Sequence, residues 1–230
     1  MAYRERTTTE TAGMADVVAR MRDLGSRRPA ADGVSVFNRV CLAVNEEIGR
    51  RVDAGEFGDR RAATSLSVLF AGRYLSAVAA AERGARPPAC WRPLFQYRHH
   101  PGIRAVQFAL AGINAHIGHD LALAVVDSCR ALGCEPADLE KDFDRVGDVL
   151  ALVEERVRED LMPGPDVLEL ADPLTHLAGA WSLDRARDGA WSAARLLWRI
   201  RDLPQLAEEF AERLDAGAGL VGRCLLTPCP

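Results

Sequence analysis

Two histidines, one aspartate and one asparagine fall within seven residues of each other, in Asn114-Ala115-His116-Ile117-Gly118-His119-Asp120-Leu121. Imidazole nitrogen and carboxylate oxygen are the donors that hold a divalent ion, and the same pair does proton transfer when the carboxylate fixes the imidazole tautomer. The surroundings sharpen the point, because from Ala105 to Val126 the only formally charged side chain is Asp120. Burying these groups costs several kcal/mol unless they are paired or ligated.

Helical geometry sorts them. At about 100° per residue, with His116 at zero, Asp120 lies near about +40°, His119 near about −60° and Gly112 near about −40°, while Asn114 points almost opposite at about 160°. His116, His119 and Asp120 therefore share one stripe as candidate metal ligands, with His119 and Asp120 also the candidate acid–base groups. Gly112 leaves room above the histidine. Asn114 belongs to another stripe, where it packs, binds substrate or holds a neighbouring helix. Three readings stay open: a metal site for zinc or iron, a metal-free acid–base or ligand pocket, and a structural hydrogen-bond network.

Other residues could join the site. Arg73-Tyr74 sits in an apolar helical pattern, so Arg73 is a candidate for an anionic substrate group. Trp91, Phe95 and Tyr97 lie in the Pro-punctuated connection Ala85 to Gly102, where Tyr74, Trp91 and Phe95 could line a substrate pocket. His99, His100 and His176 are the only other histidines. The hairpin partner of the central helix is acidic, but Asp144, Asp148 and Glu155 lie opposite its apolar arc of Leu139, Phe143, Val146, Val149, Leu150, Val153 and Val157. Asp142 alone points to the buried side, with Arg145 or Arg73 as partner, and its level along the hairpin puts it nearer Asp127 than His116.

These residues have to be positioned by helices. Amphipathic patterns run over Glu10 to Leu24, over Val34 to Val52 with Asn45, Glu46 and Glu47 facing away from the core, and over Arg60 to Arg83 with Asp59 as N-cap. A central helix spans about 103–132 with Gly133 as its C-terminal cap, followed by an antiparallel helix over about 138–161 that ends at Pro163-Gly164-Pro165. Leu174 to Ile200 and Pro204 to Leu220 complete the pattern, interrupted at Gly189 and Pro204. No segment of any length shows the strand period. The expectation is an all-α multi-helix bundle: residues 1–30 an N-terminal extension with a disordered start and a short helix, residues 31–230 one domain.

Composition limits the function. A chain of 230 residues buries a core without disulfides, and a net charge of −4 with a pI near 5.8 disfavours nucleic acid and acidic membranes as partners. Lys141 is the only lysine, a bias that a GC-rich genome explains. The N-terminal stretch lacks an apolar secretory signal, which points to the cytoplasm, and a membrane span over Ala105 to Val126 would put Gln107, Asn114, His116, His119 and Asp120 in hydrocarbon. In a cytosolic chain the six cysteines are expected to be reduced thiols, and Cys129 with Cys134 and Cys224 with Cys229 are spaced wider than a zinc knuckle, which argues against a structural zinc site there. A small molecule is the expected partner, and a homo-oligomer stays open.

Through Arg73-Tyr74-Leu75, Trp91-Arg92-Pro93-Leu94-Phe95, the Asn114 to Leu121 motif and Asp142-Phe143-Asp144-Arg145-Val146, the chain resembles a bacterial family defined only as a domain of unknown function. The resemblance covers roughly Val34 to Leu161. It implies a shared site with no assigned activity, and Gly147 departs from the asparagine frequent there. His116-x-x-x-Asp120 is also similar to one element of the all-α zinc phospholipase C and nuclease architecture, without that group's N-terminal tryptophan ligand or its many histidines. Di-iron bundles are a more distant likeness, lacking their Glu-x-x-His pairs here. The leading expectation is a cytoplasmic enzyme performing metal-assisted hydrolysis or oxidation of a small molecule. The alternatives are a metal-free cyclase, isomerase or carrier, and a helical interaction module.

Overall fold

A computed structural model describes residues 2–161 and 182–228. It is an all-α bundle with no strand among the described residues. The helices are α1 (Ala2–Ser26), α2 (Gly33–Asp53), α3 (Arg60–Glu82), α4 (Arg92–Tyr97), α5 (Ala105–Ala115), α6 (Ala122–Leu132), α7 (Pro136–Leu161), α8 (Leu183–Arg199) and α9 (Pro204–Leu225), and a π-helical turn, His116–Leu121, joins α5 to α6.

The caps follow the sequence. Asp32 accepts from Val34 N at 2.8 Å, and Asp59 accepts from Arg61 N at 2.8 Å and Ala62 N at 3.2 Å, satisfying amides that the first turns of α2 and α3 leave free. Gly133 takes the left-handed conformation, φ 68°, that stops α6 where a side chain would be strained.

Several expectations change. The first helix is longer than Glu10 to Leu24, starting at Ala2, and its Met14, Val17, Met21 and Leu24 are buried in the common core against α2 and α3. That packing covers Asn45, whose amide lies 3.9 Å from Met21 Sδ, while Glu47, about 200° round α2 from Asn45, is buried in its pairing with Arg50 and Arg51. The Ala85 to Gly102 connection holds the short helix α4, which Pro93 starts well because its ring fixes a helical φ and no partner is lost for its missing N–H. Gly189 lies inside α8 without breaking it. His176, the Pro163-Gly164-Pro165 stop, the 174–181 portion of the expected helix and Cys229 lie outside the described residues, as do the side chains of Glu154, Glu155 and Val157.

The segment α5, π turn and α6 is the axis on which the other helices pack. α2 and α9 lie along α5, α3 and α8 along α6, and α7 packs on α2 with smaller contacts to α3 and α6. Small residues let α8 approach closely, with Ala190, Ala193 and Ala194 all buried. Two amides fasten α9: Gln107 Nε2 donates to the carbonyls of Leu225 (2.9 Å) and Thr227 (2.8 Å), and Asn114 Nδ2 donates to Ala218 O (2.8 Å). Being seven residues apart, Gln107 and Asn114 share a face of the axis, and Asn114 does hold a neighbouring helix.

Among the described residues, two helices, Arg60–Glu82 and Ala105–Leu132, are long and apolar enough to cross a membrane by length and composition. The apolar window of the second is 89% buried within the fold, as a core axis requires.

Candidate metal centre

The π turn alters the geometry expected of a uniform helix. In an α-helix adjacent residues point about 100° apart and do not face each other. Here the widened turn brings the side chains of His119 and Asp120 together, with His119 Nδ1 2.8 Å from Asp120 Oδ1, and His116 Nδ1 reaches Asp120 Oδ2 at 3.0 Å from the other side. π turns of this kind recur at functional sites because they re-aim side chains that an α-helix would splay.

Asp120 is the hub, and both imidazoles use Nδ1 to meet it. A third donor, the indole N–H of Trp91, reaches Oδ2 at 3.0 Å. Burial pushes the Asp120 carboxyl up, but the N–H bonds from His116 and His119 outweigh that and hold it below the usual carboxylate range. Burial in turn holds His116 below the ordinary imidazole range despite the opposing pull of Asp120. Asp120 therefore accepts from three sides, from His116, His119 and the Trp91 indole.

Two cysteines flank the histidines. Cys90 Sγ lies 3.6 Å from His119 Nδ1, and the sulfur, imidazole and carboxylate ligand atoms of Cys90, His119 and Asp120 all fall within 4.8 Å of one another, every residue buried. On the other side Cys41 Sγ lies 3.9 Å from His116 Nε2. Burial, followed by the charge of Asp120, pushes both thiols well above their usual range. The two sides differ in kind. Around His119 the donors converge on a point, whereas Cys41, His116 and Asp120 run in line.

Aromatic rings and one distant carboxylate fix these positions. Phe70 stacks on His116 with centroids 3.6 Å apart and planes 6° from parallel, and Phe37 meets the same ring edge-on at 5.8 Å. Phe37 fills the space that Gly112 leaves, because a Cβ on Gly112 would stand 2.2 Å from the Phe37 ring. Asp215 on α9 accepts the backbone amides of Ala89 (2.7 Å) and Cys90 (2.9 Å), which seats the Cys90 loop against the axis.

The remaining candidates are distributed differently. Trp91 is wholly buried inside the cluster, and half-buried Phe95 packs on it at 6.4 Å. Tyr74 is buried beside Trp91 and directs its hydroxyl to Val34 O at 3.4 Å. Arg73 pairs with Asp127, so its charge is already matched by a carboxylate. Asp142 accepts from the amides of Gly58 (2.9 Å) and Asp59 (3.2 Å) and stands 3.7 Å from Arg145, which makes it a brace for the α2–α3 turn. His99 stands 3.7 Å from Asp32, and His100 accepts from Gly102 N, both apart from the cluster.

Cys41 and Cys90 were not singled out from sequence. Cys41 occupies a core position in the period of α2 and reads as a small hydrophobe. Cys90 is thirty residues from Asp120, so no local spacing joins them. Its one signal is adjacency to Trp91.

Residues 14–228 match the profile of a family of unknown function, DUF5995. No curated protein and no solved structure matches the chain.

Proposed function

The chain belongs to that family of unknown function, so we propose an activity from the site itself: a metal-dependent enzyme, acting by hydrolysis or oxidation on a small molecule, with Cys90, His119 and Asp120 as ligands. The convergence of three buried donors of different chemistry carries this reading. The fit can be checked by distance. With bonds of about 2.3 Å to sulfur and 2.0–2.1 Å to imidazole nitrogen, two ligands of a tetrahedral ion stand about 3.6 Å apart. Cys90 Sγ and His119 Nδ1 stand 3.6 Å apart. Asp120 Oδ1, at 2.8 Å from the same nitrogen, is in hydrogen-bond range and would withdraw by about half an ångström, since a nitrogen–oxygen ligand pair needs about 3.3 Å.

Charge and softness agree. A thiolate and a carboxylate supply two negative charges to offset a dication, and the sulfur–nitrogen–oxygen set suits zinc, or iron, over magnesium or calcium. A bound ion of this type supplies Lewis-acid activation of water or a substrate oxygen. His116 and Trp91 hold Oδ2 of Asp120 and leave Oδ1 as the ligand, so His116 becomes an orienting group rather than a ligand. A reducing cytoplasmic setting belongs to the reading, because Cys90 has to stay unoxidised to bind as a thiolate.

The test is metal analysis of protein purified without chelator. Close to one equivalent of zinc or iron is expected, lost in Cys90→Ala and His119→Ala; less than about a tenth of an equivalent in wild type removes the reading. Chelation should also lower the melting temperature, by roughly 5–10 °C where the ion had been at 100-fold excess over Kd. The alternative, a metal-free hydrogen-bonded pocket, is favoured by the three N–H donors on Asp120, and predicts a melting temperature indifferent to chelator.

A further inference from the structure

We propose that the cavity between α1, α2 and α3 is a binding site for a small neutral alcohol, an apolar body carrying one hydroxyl group. The cavity measures about 450 Å³, within the range of about 300–1,000 Å³ that small-molecule sites occupy. Met14 and Val18 from α1 and Val52 from α2 supply apolar wall, and Asn45 of α2 and Thr64 of α3 are its uncharged polar lining. None of Cys90, His119 and Asp120 lines it, so the site is separate from the metal centre and does not rest on it.

The ligand chemistry follows from hydrogen bonds that these two side chains leave unmade. Asn45 is only 4% exposed and Thr64 only 5%, so both have left bulk water. Asn45 Nδ2 donates to Cys41 O at 2.8 Å, which fixes the orientation of the amide and leaves Oδ1 with no donor among the described residues. The Thr64 hydroxyl makes no hydrogen bond among them either, whereas Ser67, one turn on in α3, bonds back to Ala63 O at 2.8 Å. Buried polar groups are nearly always paired, so two unused ones lining one cavity call for a partner that the fold does not supply. A single hydroxyl satisfies both, donating to Asn45 Oδ1 and accepting from the Thr64 O–H.

Charge points to a neutral ligand. The cations that line the cavity already face carboxylates: Arg22 pairs with Glu46 and Arg60 with Asp53, each at 2.7 Å, and Arg50 pairs with Glu47. A carboxylate ligand would also set its lone pairs against those of Asn45 Oδ1. Gly49 keeps the space open. It lies one turn after Asn45 inside α2, where glycine weakens a helix, and a Cβ there would meet only Met14 Cγ, at an ordinary 3.8 Å. The position has room for a side chain that the sequence does not place there.

The probe is 1-octanol, with octanoate as its charged control, each titrated into the full chain by calorimetry at neutral pH. Octanol should bind at about one equivalent, and octanoate roughly tenfold more weakly or worse. Gly49→Leu should abolish octanol binding by filling the cavity, with helix content and metal content as in the wild type. Thr64→Val deletes the hydroxyl at nearly constant shape and should weaken octanol by roughly three- to tenfold. An absence of saturable octanol binding, octanoate bound as tightly as octanol, or an octanol affinity indifferent to Gly49→Leu overturns the proposal. If Gly49→Leu fails to fold by circular dichroism, Thr64→Val decides, and an unchanged affinity there overturns it. Cys90→Ala should bind octanol as the wild type does; loss of binding in that variant, folded, would put the probe at the metal centre and overturn the separate site.

Discussion

Trp91 donates its indole N–H to Asp120 Oδ2 at 3.0 Å, from a side chain with no exposed surface. The bond joins the α4 entry to the π turn, and it occupies Oδ2 while Oδ1 meets His119. Trp91→Phe keeps most of the ring and deletes that donor. Hydrogen bonds to charged groups contribute about 1.5–3 kcal/mol, and the orienting partners of a metal ligand about 10–100-fold in affinity. We expect a loss of that order in urea-denaturation stability, and a metal affinity lowered within that range in a competition titration. A zinc affinity equal to wild type in a folded variant would show that the indole merely fills space.

Asp215 acts on Cys90 from a distance. Its two oxygens hold the amides of Ala89 and Cys90, so the loop carrying the thiol is fastened to α9 by charge-assisted bonds. Asp215→Ala frees both amides. The expected outcome is reduced metal occupancy with helix content near wild type, read by metal analysis alongside circular dichroism. Full occupancy would mean that the loop is held by its apolar packing alone.

The fold was legible because its signals are local. Asp59, Gly133 and the period of α2 act within a few residues, and each stands where the pattern placed it. The π turn was not, since nothing in His116 to Leu121 distinguishes a widened turn from a regular one at 100° per residue. The axial part of the candidate centre was visible for the same reason: His116, His119 and Asp120 share one stretch, whereas Cys41 and Cys90 reach it through packing of α2 and the α4 entry. Asn45 was misassigned to solvent because α1 reaches it through Met21, and Glu47 because its charge is matched by Arg50 and Arg51 where it is buried, facts that the period of α2 alone does not carry.

Glu47 gives a pH dependence with a definite sign. Its carboxylate is buried between two arginines, bonded to Arg51 Nε at 2.7 Å and paired with Arg50. The hydrogen bond from Arg51, against the opposing effect of burial and with help from the charges of both arginines, holds its pKa below the ordinary value. A depressed folded-state pKa stabilises the fold above the unfolded value of about 4.3, and that contribution is lost as pH falls through the folded pKa. Glu47→Gln should therefore lower the melting temperature at neutral pH and flatten its decline below about pH 4.5, read as parallel thermal melts over a pH series. Parallel curves for the two proteins would remove Glu47 from the acid response.

Gly112 and Gly147 make a contrast in which the shorter clash is the cheaper one. A Cβ on Gly147 would stand 1.7 Å from the guanidinium of Arg187, nearer than the 2.2 Å between a Cβ on Gly112 and the Phe37 ring. But the Arg187 guanidinium is the far end of a flexible side chain lying over Phe143, and it can swing to solvent. Phe37 cannot move freely, being buried and packed against Tyr74, Trp91 and His116 at once. Overpacking a rigid core costs about 1–3 kcal/mol, whereas a mid-helix Gly→Ala gains roughly 0.5–1 kcal/mol from backbone entropy. Gly147→Ala should thus be close to neutral, and Gly112→Ala should lose about 1–3 kcal/mol by urea denaturation. Because Phe37 would be pushed towards His116, Gly112→Ala should also disturb the cluster, lowering metal occupancy where Gly147→Ala leaves it intact. Equal stability of the two variants would show that Phe37 has a second rotamer open to it, and that the ring is not what holds His116 in place.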